Sequence, residues 1–162
     1  MNYLQRCTIL LLLIILGFTS AEQEKKELTF DDILKWNRIT EKEISNEGEI
    51  VAYKLEPWKG DPVLKVTKDD GSELLTQTGG TDIHITDDSE FVISRVNPLE
   101  DTVRKLKLEG KKKEELPMDE LLIFSTETGN KEMVDSLKSF KVPEKWSGWV
   151  AYQTETQTKK DT

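Results

Sequence analysis

The chain has 162 residues, of which 36% are apolar and 33% charged. That is the size of one domain, neither apolar throughout as an embedded protein would be nor too polar to build a core. With 23 basic against 31 acidic side chains the formal charge is -8, and without a basic stripe such a chain is a poor prospect for nucleic acid or an anionic membrane.

Residues 1–21, MNYLQRCTILLLLIILGFTSA, stand apart. Arg6 gives a positive start, Ile9 to Leu16 is unbroken apolar, and Thr19 and Ala21 place small residues at the -3 and -1 positions of a cleavage site. This is the pattern of a secretory signal peptide, too short for a good membrane span. Cys7 precedes the apolar run, which is the wrong side for lipid attachment after cleavage. The mature chain, Glu22 to Thr162, keeps 22 basic and 31 acidic side chains and has no cysteine. Disulfides and thiolate metal sites are therefore closed to it. Export is expected, to the periplasm or beyond, with no stable membrane span after the leader is removed.

Residues 22–28 read as a charged lead-in. A short helix is predicted near residues 30–37. Thr29 serves as N-cap with Asp32 three residues on, Leu28 and Ile33 form a hydrophobic staple, and Phe30, Ile33, Leu34 and Trp36 supply the buried side. Lead-in and helix together occupy 22–43, and the sheet-forming region runs from 44 to 162. Ser45-Asn46-Glu47-Gly48 is a turn, and Ile50 to Leu55 a well-buried strand closed by Pro57. Pro62 to Thr67 is the next strand, Asp70-Gly71 a hairpin turn, and Glu73 to Thr76 its return. Gly79-Gly80 then breaks the chain.

The pattern recurs. Ile85-Thr86-Asp87-Asp88-Ser89-Glu90-Phe91-Val92-Ile93-Ser94 lies on Ile44 to Tyr53 without a gap, at an offset of 41 residues, and Trp146 to Tyr152 is a weaker echo. Leu121 to Phe124 is a further strand and Thr128-Gly129-Asn130 a turn. Sheets of short strands repeating at this interval are the size of a four-stranded propeller blade, which must stack on neighbours because both of its faces are apolar. The expected fold is all-β, a partial β-propeller of two to three blades; a plain β-sandwich is the alternative. One segment breaks the rhythm. Asn97-Pro98 predicts a helix start, Leu99, Val103 and Leu106 fall at helical spacing, and Gly110 ends the pattern, giving a charged helical excursion over residues 98–115.

Chemically the chain is sparse. His84 is the one histidine, and any Ser-His-Asp relay would need it, with Asp82 nearby; a structural place at a blade edge is the simpler reading. No G-x-S-x-G elbow, dinucleotide loop or phosphate loop is present. Asp31-Asp32, Asp69-Asp70 and Asp87-Asp88 fall at a helix start or in turns, where aspartate accepts local backbone hydrogen bonds without any ligand. Of the tryptophans Trp36, Trp58, Trp146 and Trp149, Trp58 is expected to be the exposed one, while Trp36 packs with the helix and Trp149 precedes a buried strand. The Lys111-Lys112-Lys113 triplet is followed at once by Glu114 and Glu115 and is a poor nucleic-acid patch. No catalytic, cofactor-binding or metal-ligating residue is assigned, and no cofactor is expected.

Taken together, LTFDDILKWNRITEKEISNEGEIVAYKLEP, ITDDSEFVISRVNP, the Lys/Glu-rich excursion before LPMDELLIFSTETG, and KSFKVPEKWSGWVAY resemble the N-terminal part of exported prolyl-oligopeptidase-like serine peptidases of Bacteroidetes. The resemblance covers essentially the whole mature chain, and the order of the blocks is its most specific feature. It implies a β-propeller that restricts access of large substrates to a C-terminal α/β-hydrolase domain, which carries the serine, aspartate and histidine and cleaves peptides, often near proline. The matching residues here are architectural: Ser45, Gly48, Ala52 and Tyr53 in the first copy, Asp87, Asp88 and Phe91 in the second. No catalytic position matches. The chain thus reads as the front end of a longer peptidase, inactive alone, with the hydrolase domain or further blades as its expected partners and a peptide as the substrate of the full-length relative. The other class left open is a small exported β protein that binds a peptide, a glycan or a protein partner.

Overall fold

A computed structural model describes residues 27–155. The expected signal peptide with its cleavage site, Cys7 and most of the expected lead-in lie outside the described residues. Helix α1 (Phe30–Leu34) is followed by the strands β1 (Asn37–Ile44), β2 (Ile50–Pro57), β3 (Val63–Lys68) and β4 (Glu73–Thr78). They form an antiparallel four-stranded sheet in sequence order. A second sheet of the same order contains β5 (Gly80–Ile85), β6 (Phe91–Val96), β7 (Glu120–Ser125) and β8 (Lys131–Val134). Helix α2 (Glu100–Leu108) interrupts it between β6 and β7, and β9 (Leu137–Lys141) pairs with β10 (Ala151–Thr154) as the start of a third sheet. The fold is all-β and propeller-like, with an N-terminal helix and a helical excursion.

The copies coincide at the level of single hydrogen bonds. In the first turn the Ser45 amide donates to Ile50 O (2.9 Å), the Ile50 amide to Ser45 Oγ (3.0 Å) and the Gly48 amide to Ser45 O (2.9 Å). In the second, Thr86, Phe91 and Ser89 make the same bonds at 3.0, 3.0 and 2.8 Å. Gly48 has φ +76° and Ser89, in its place, φ +64°. Ser89 thus carries a left-handed conformation that glycine adopts without strain. The glutamate that follows each turn is used alike in both copies. Glu49 O accepts from the Asp69 amide, and Glu90 O from the Thr126 amide, both at 2.9 Å. At the next junction Ser136 (φ +58°) stands where Gly79 (φ +82°) stood, with its carbonyl taking the Glu155 amide as Gly79 takes that of Asn97.

Stacking follows from strand alternation. From the first sheet Ile50, Ala52, Leu64 and Val66 meet Ile83, Val92, Val96, Leu122 and Phe124 of the second, all buried. The intervening residues of the second sheet, Ile93 and Leu121, turn the other way and pack with Leu137, flanked by Phe140 and Val150. Strand β5 crosses the face of the first sheet, and Gly80 lies so close to β3 that a Cβ there would sit 2.4 Å from Leu64 Cβ.

Several expectations need correction. The first sheet starts at Asn37, because NRITEKEI is a strand although it lacks apolar alternation. The helix α1 forms with the expected Thr29–Asp32 capping box, but of its expected buried side Phe30, Ile33 and Trp36 are 73%, 41% and 57% exposed among the described residues, and Leu34 alone is partly buried. Helix α2 begins at Glu100, two residues later than Asn97-Pro98 suggests. No side chain of its own caps it; the Glu100 amide donates instead to Asp61 Oδ1 of the first sheet's β2–β3 loop (2.8 Å). Gly110 closes it as expected, with the Gly110 and Lys111 amides bonded to Lys107 and Leu106 carbonyls in a Schellman arrangement. The strand after Trp149 is exposed throughout, since β10 is an edge strand. The free face of the first sheet is mixed rather than apolar, with Tyr53, Lys65 and Thr67 among Val51, Leu55 and Val63.

Candidate functional site

The ends of β1 and β5 and the segment after β9 converge on a groove of about 150 Å³, lined by Glu43–Asn46, His84–Asp87 and Val142–Glu144. What brings these strands together is a set of side chains that reach from one sheet to the backbone of the next. Glu41 Oε1 accepts from the Ile83 amide at 2.6 Å and its Oε2 from the Asp82 amide at 3.2 Å. These amides belong to an irregularity in β5, where register shifts between Thr81 and His84 and Asp82 takes φ +53°. Glu43 accepts from the Ile85 amide, and Asn46 Nδ2 donates to Asp87 O (3.0 Å) and Oδ1 (2.8 Å). An unpaired strand edge would otherwise expose these groups.

The electrostatics are correspondingly uneven. Burial pushes the Glu43 carboxyl above the usual carboxylate range; the Ile85 amide and the charge of His84 oppose the shift, and the Glu41 charge adds to it. Asp88 is held below that range: desolvation is the largest single influence and raises it, but bonds from Thr86, Glu90 and Ser147 together outweigh it. His84 Nε2 lies 3.4 Å from Asp82 Oδ1, and its ring stands edge-on to Phe140 of β9 at 5.6 Å. The Arg95 guanidinium covers the same ring at 5.9 Å while pairing with Asp119 at 2.8 Å.

Hydroxyls beside this groove are committed to the turns. Ser45 Oγ accepts from the Ile50 amide, and Thr86 Oγ1 accepts from the Phe91 amide and donates to Asp88 Oδ1 (2.6 Å). The described residues therefore bring an aspartate to His84 but assemble no hydroxyl–imidazole–carboxylate relay there. The acidic pairs do turn and cap work: Asp69 takes the Asp70 amide, Asp70 the Ser72 amide and Asp32 the Thr29 amide. Sequence reasoning missed Glu41, Glu43 and Asn46; the E-x-E spacing in a polar segment is the one signal that could have found them.

A second surface lies where β1 begins and β2 ends. Trp58 is 68% exposed and the Arg38 guanidinium stacks on it at 5.6 Å, but Trp36, Trp146 and Trp149 are exposed too (57%, 72% and 54%), so exposure does not single it out as expected. Asn37 pairs with Pro57, so Trp36 comes to the same end of the sheet, preceded in the chain by the exposed Leu28, Phe30 and Ile33.

No protein-family profile and no curated protein matches this sequence. Among solved structures an acylaminoacyl peptidase of Pyrococcus horikoshii is similar, with a TM-score of 0.47 and 13% identity over 68% of this chain. The alignment takes in 16% of that peptidase, so this chain corresponds to a small part of its length.

Proposed function

We propose that this chain is the non-catalytic, substrate-gating propeller portion of an exported prolyl-oligopeptidase-like serine peptidase, whose chemistry resides in a separate α/β-hydrolase domain. The observation that supports this reading most is the bond-for-bond repetition of the two turns at an offset of 41 residues, in sheets that stack face to face. The polar side chains of the turns and of β1 bind backbone within and between sheets rather than converging on a substrate, which is what a scaffold requires. Leu28, Phe30, Ile33, Trp36 and Trp58 are exposed among the described residues, and a covering domain would bury them.

Purified chain is expected to leave a proline-containing chromogenic peptide intact. The polypeptide encoded by the reading frame continued past Thr162 is expected to cleave it and to lose that activity to serine-directed inhibitors. Inhibitor-sensitive turnover by the chain itself would defeat the proposal. So would a downstream sequence without any hydrolase segment, combined with cooperative unfolding and peptide or glycan binding by the chain alone.

A further inference from the structure

We propose that the excursion between β6 and β7 is a docking knob for an anionic lipid bilayer. The first sheet makes the same β2-to-β3 connection with residues 58–62, whereas the second uses residues 97–119. The first sheet shows that a blade of this kind closes without the longer route.

The excursion also separates its charges. Near the body, Asp61 caps α2, and Arg104 is held by Glu100 at 2.7 Å and Asp101 at 3.8 Å. Farther out, from Lys105 to Glu115, five cations stand against three carboxylates, Glu109, Glu114 and Glu115. Glu115 returns to pair with Lys111 and accepts the Lys112 amide, but Lys105, Lys107, Lys112 and Lys113 have no ion pair among the described residues. Leu108, 84% exposed, shares a helix face with Arg104 and Lys105. An apolar side chain held in water among ammonium groups suits a surface where leucine enters the headgroup layer and lysines meet lipid phosphates. Residues 99–116 contain no aromatic ring to stack on bases or sugars, which favours a bilayer over nucleic acid or glycan. The charge of -8 on the whole chain does not forbid this, because screening confines each field to roughly 8 Å.

The test is co-sedimentation of the full chain with vesicles of phosphatidylcholine alone and of phosphatidylcholine with phosphatidylglycerol. Any insertion of the run Ile9 to Leu16, with the positive charge of Arg6 beside it, contributes alike to the parent and to the variants below, so the comparison between them isolates the excursion. The ratio of binding between the two vesicles is expected to favour the anionic ones by about tenfold at physiological ionic strength and to collapse at high salt. Replacing Lys112→Gln and Lys113→Gln together should remove most of the preference, and Leu108→Ser should weaken binding several-fold; all three sites are exposed, and circular dichroism checks that the fold is kept. A ratio near one, or a ratio that neither variant alters, overturns the proposal. Equal binding to polyglutamate beads that Leu108→Ser leaves unchanged also overturns it, in favour of an acidic polymer.

Discussion

Removing the carboxylate of Glu41 tests whether side chains from β1 hold β5 in place. Glu41→Ala leaves the amides of Asp82 and Ile83 without their acceptor at a point where Asp82 is already left-handed, and it frees Lys54, now 3.4 Å from Glu41. A hydrogen bond to a charged group contributes about 1.5–3 kcal/mol net when well made. One of these bonds is short and one long, and the Glu41 side chain is 29% exposed. Partial solvation reduces both, so the expected loss is about 2–3 kcal/mol in total. Glu41→Gln keeps an oxygen for the Ile83 amide and should lose about 1 kcal/mol. Lys54→Met removes only the ion pair and should lose about 0.5 kcal/mol or less. Urea unfolding followed by tryptophan fluorescence, with hydrogen exchange at the Asp82 and Ile83 amides, separates these cases. If Lys54→Met and Glu41→Gln each cost as much as Glu41→Ala, the ion pair is what matters and the reasoning about the β5 amides is refuted.

Other perturbations follow from the same packing. Ser94 is fully buried and its Oγ has no partner among the described residues, so Ser94→Ala should raise stability by about 1 kcal/mol in the same urea assay. Gly80→Ala drives a methyl to within 2.4 Å of Leu64 Cβ and should cost about 1–3 kcal/mol; alanine at 64 would keep that Cβ, so it is the added change Leu64→Gly that recovers part of the cost, and simple additivity of those two would argue against the contact. Burial raises the Glu43 pKa, with smaller contributions from the Ile85 amide, His84 and Glu41. The folded state therefore binds the proton more tightly, and the associated stability is present below the unfolded carboxyl pKa and is lost as pH rises through the folded value. Glu43→Gln should accordingly gain stability relative to the parent as pH rises above 4.5; thermal melts across pH 4 to 7.5, about the carboxylate range and above it, would show no such trend if the shift were absent.

Much of the fold is legible in the residues themselves, and the gaps have a common cause. Strands β2, β3, β6 and β7 announce themselves because Ile50, Leu64, Val92 and Leu122 must enter a core between sheets. Strand β1 does not, because its Glu41 and Glu43 answer to the backbone of β5 rather than to a core, and a polar strand has no apolar period to detect. The groove suffers the same way: His84 stands out as a lone histidine, whereas the carboxylates that assemble its surroundings look like solvated charges.

By itself the sequence determined the repeat, both turns and the Schellman end of α2, since these depend on residues a few positions apart. Tertiary structure alone decided that Ser89 would hold a glycine's conformation, that Asp61 would cap a helix begun by Glu100, and that Phe30 and Ile33 of α1 would be left exposed among the described residues. Each of those outcomes rests on the presence or absence of a partner tens of residues away along the chain, and local preference carries no record of which neighbour folding will bring alongside.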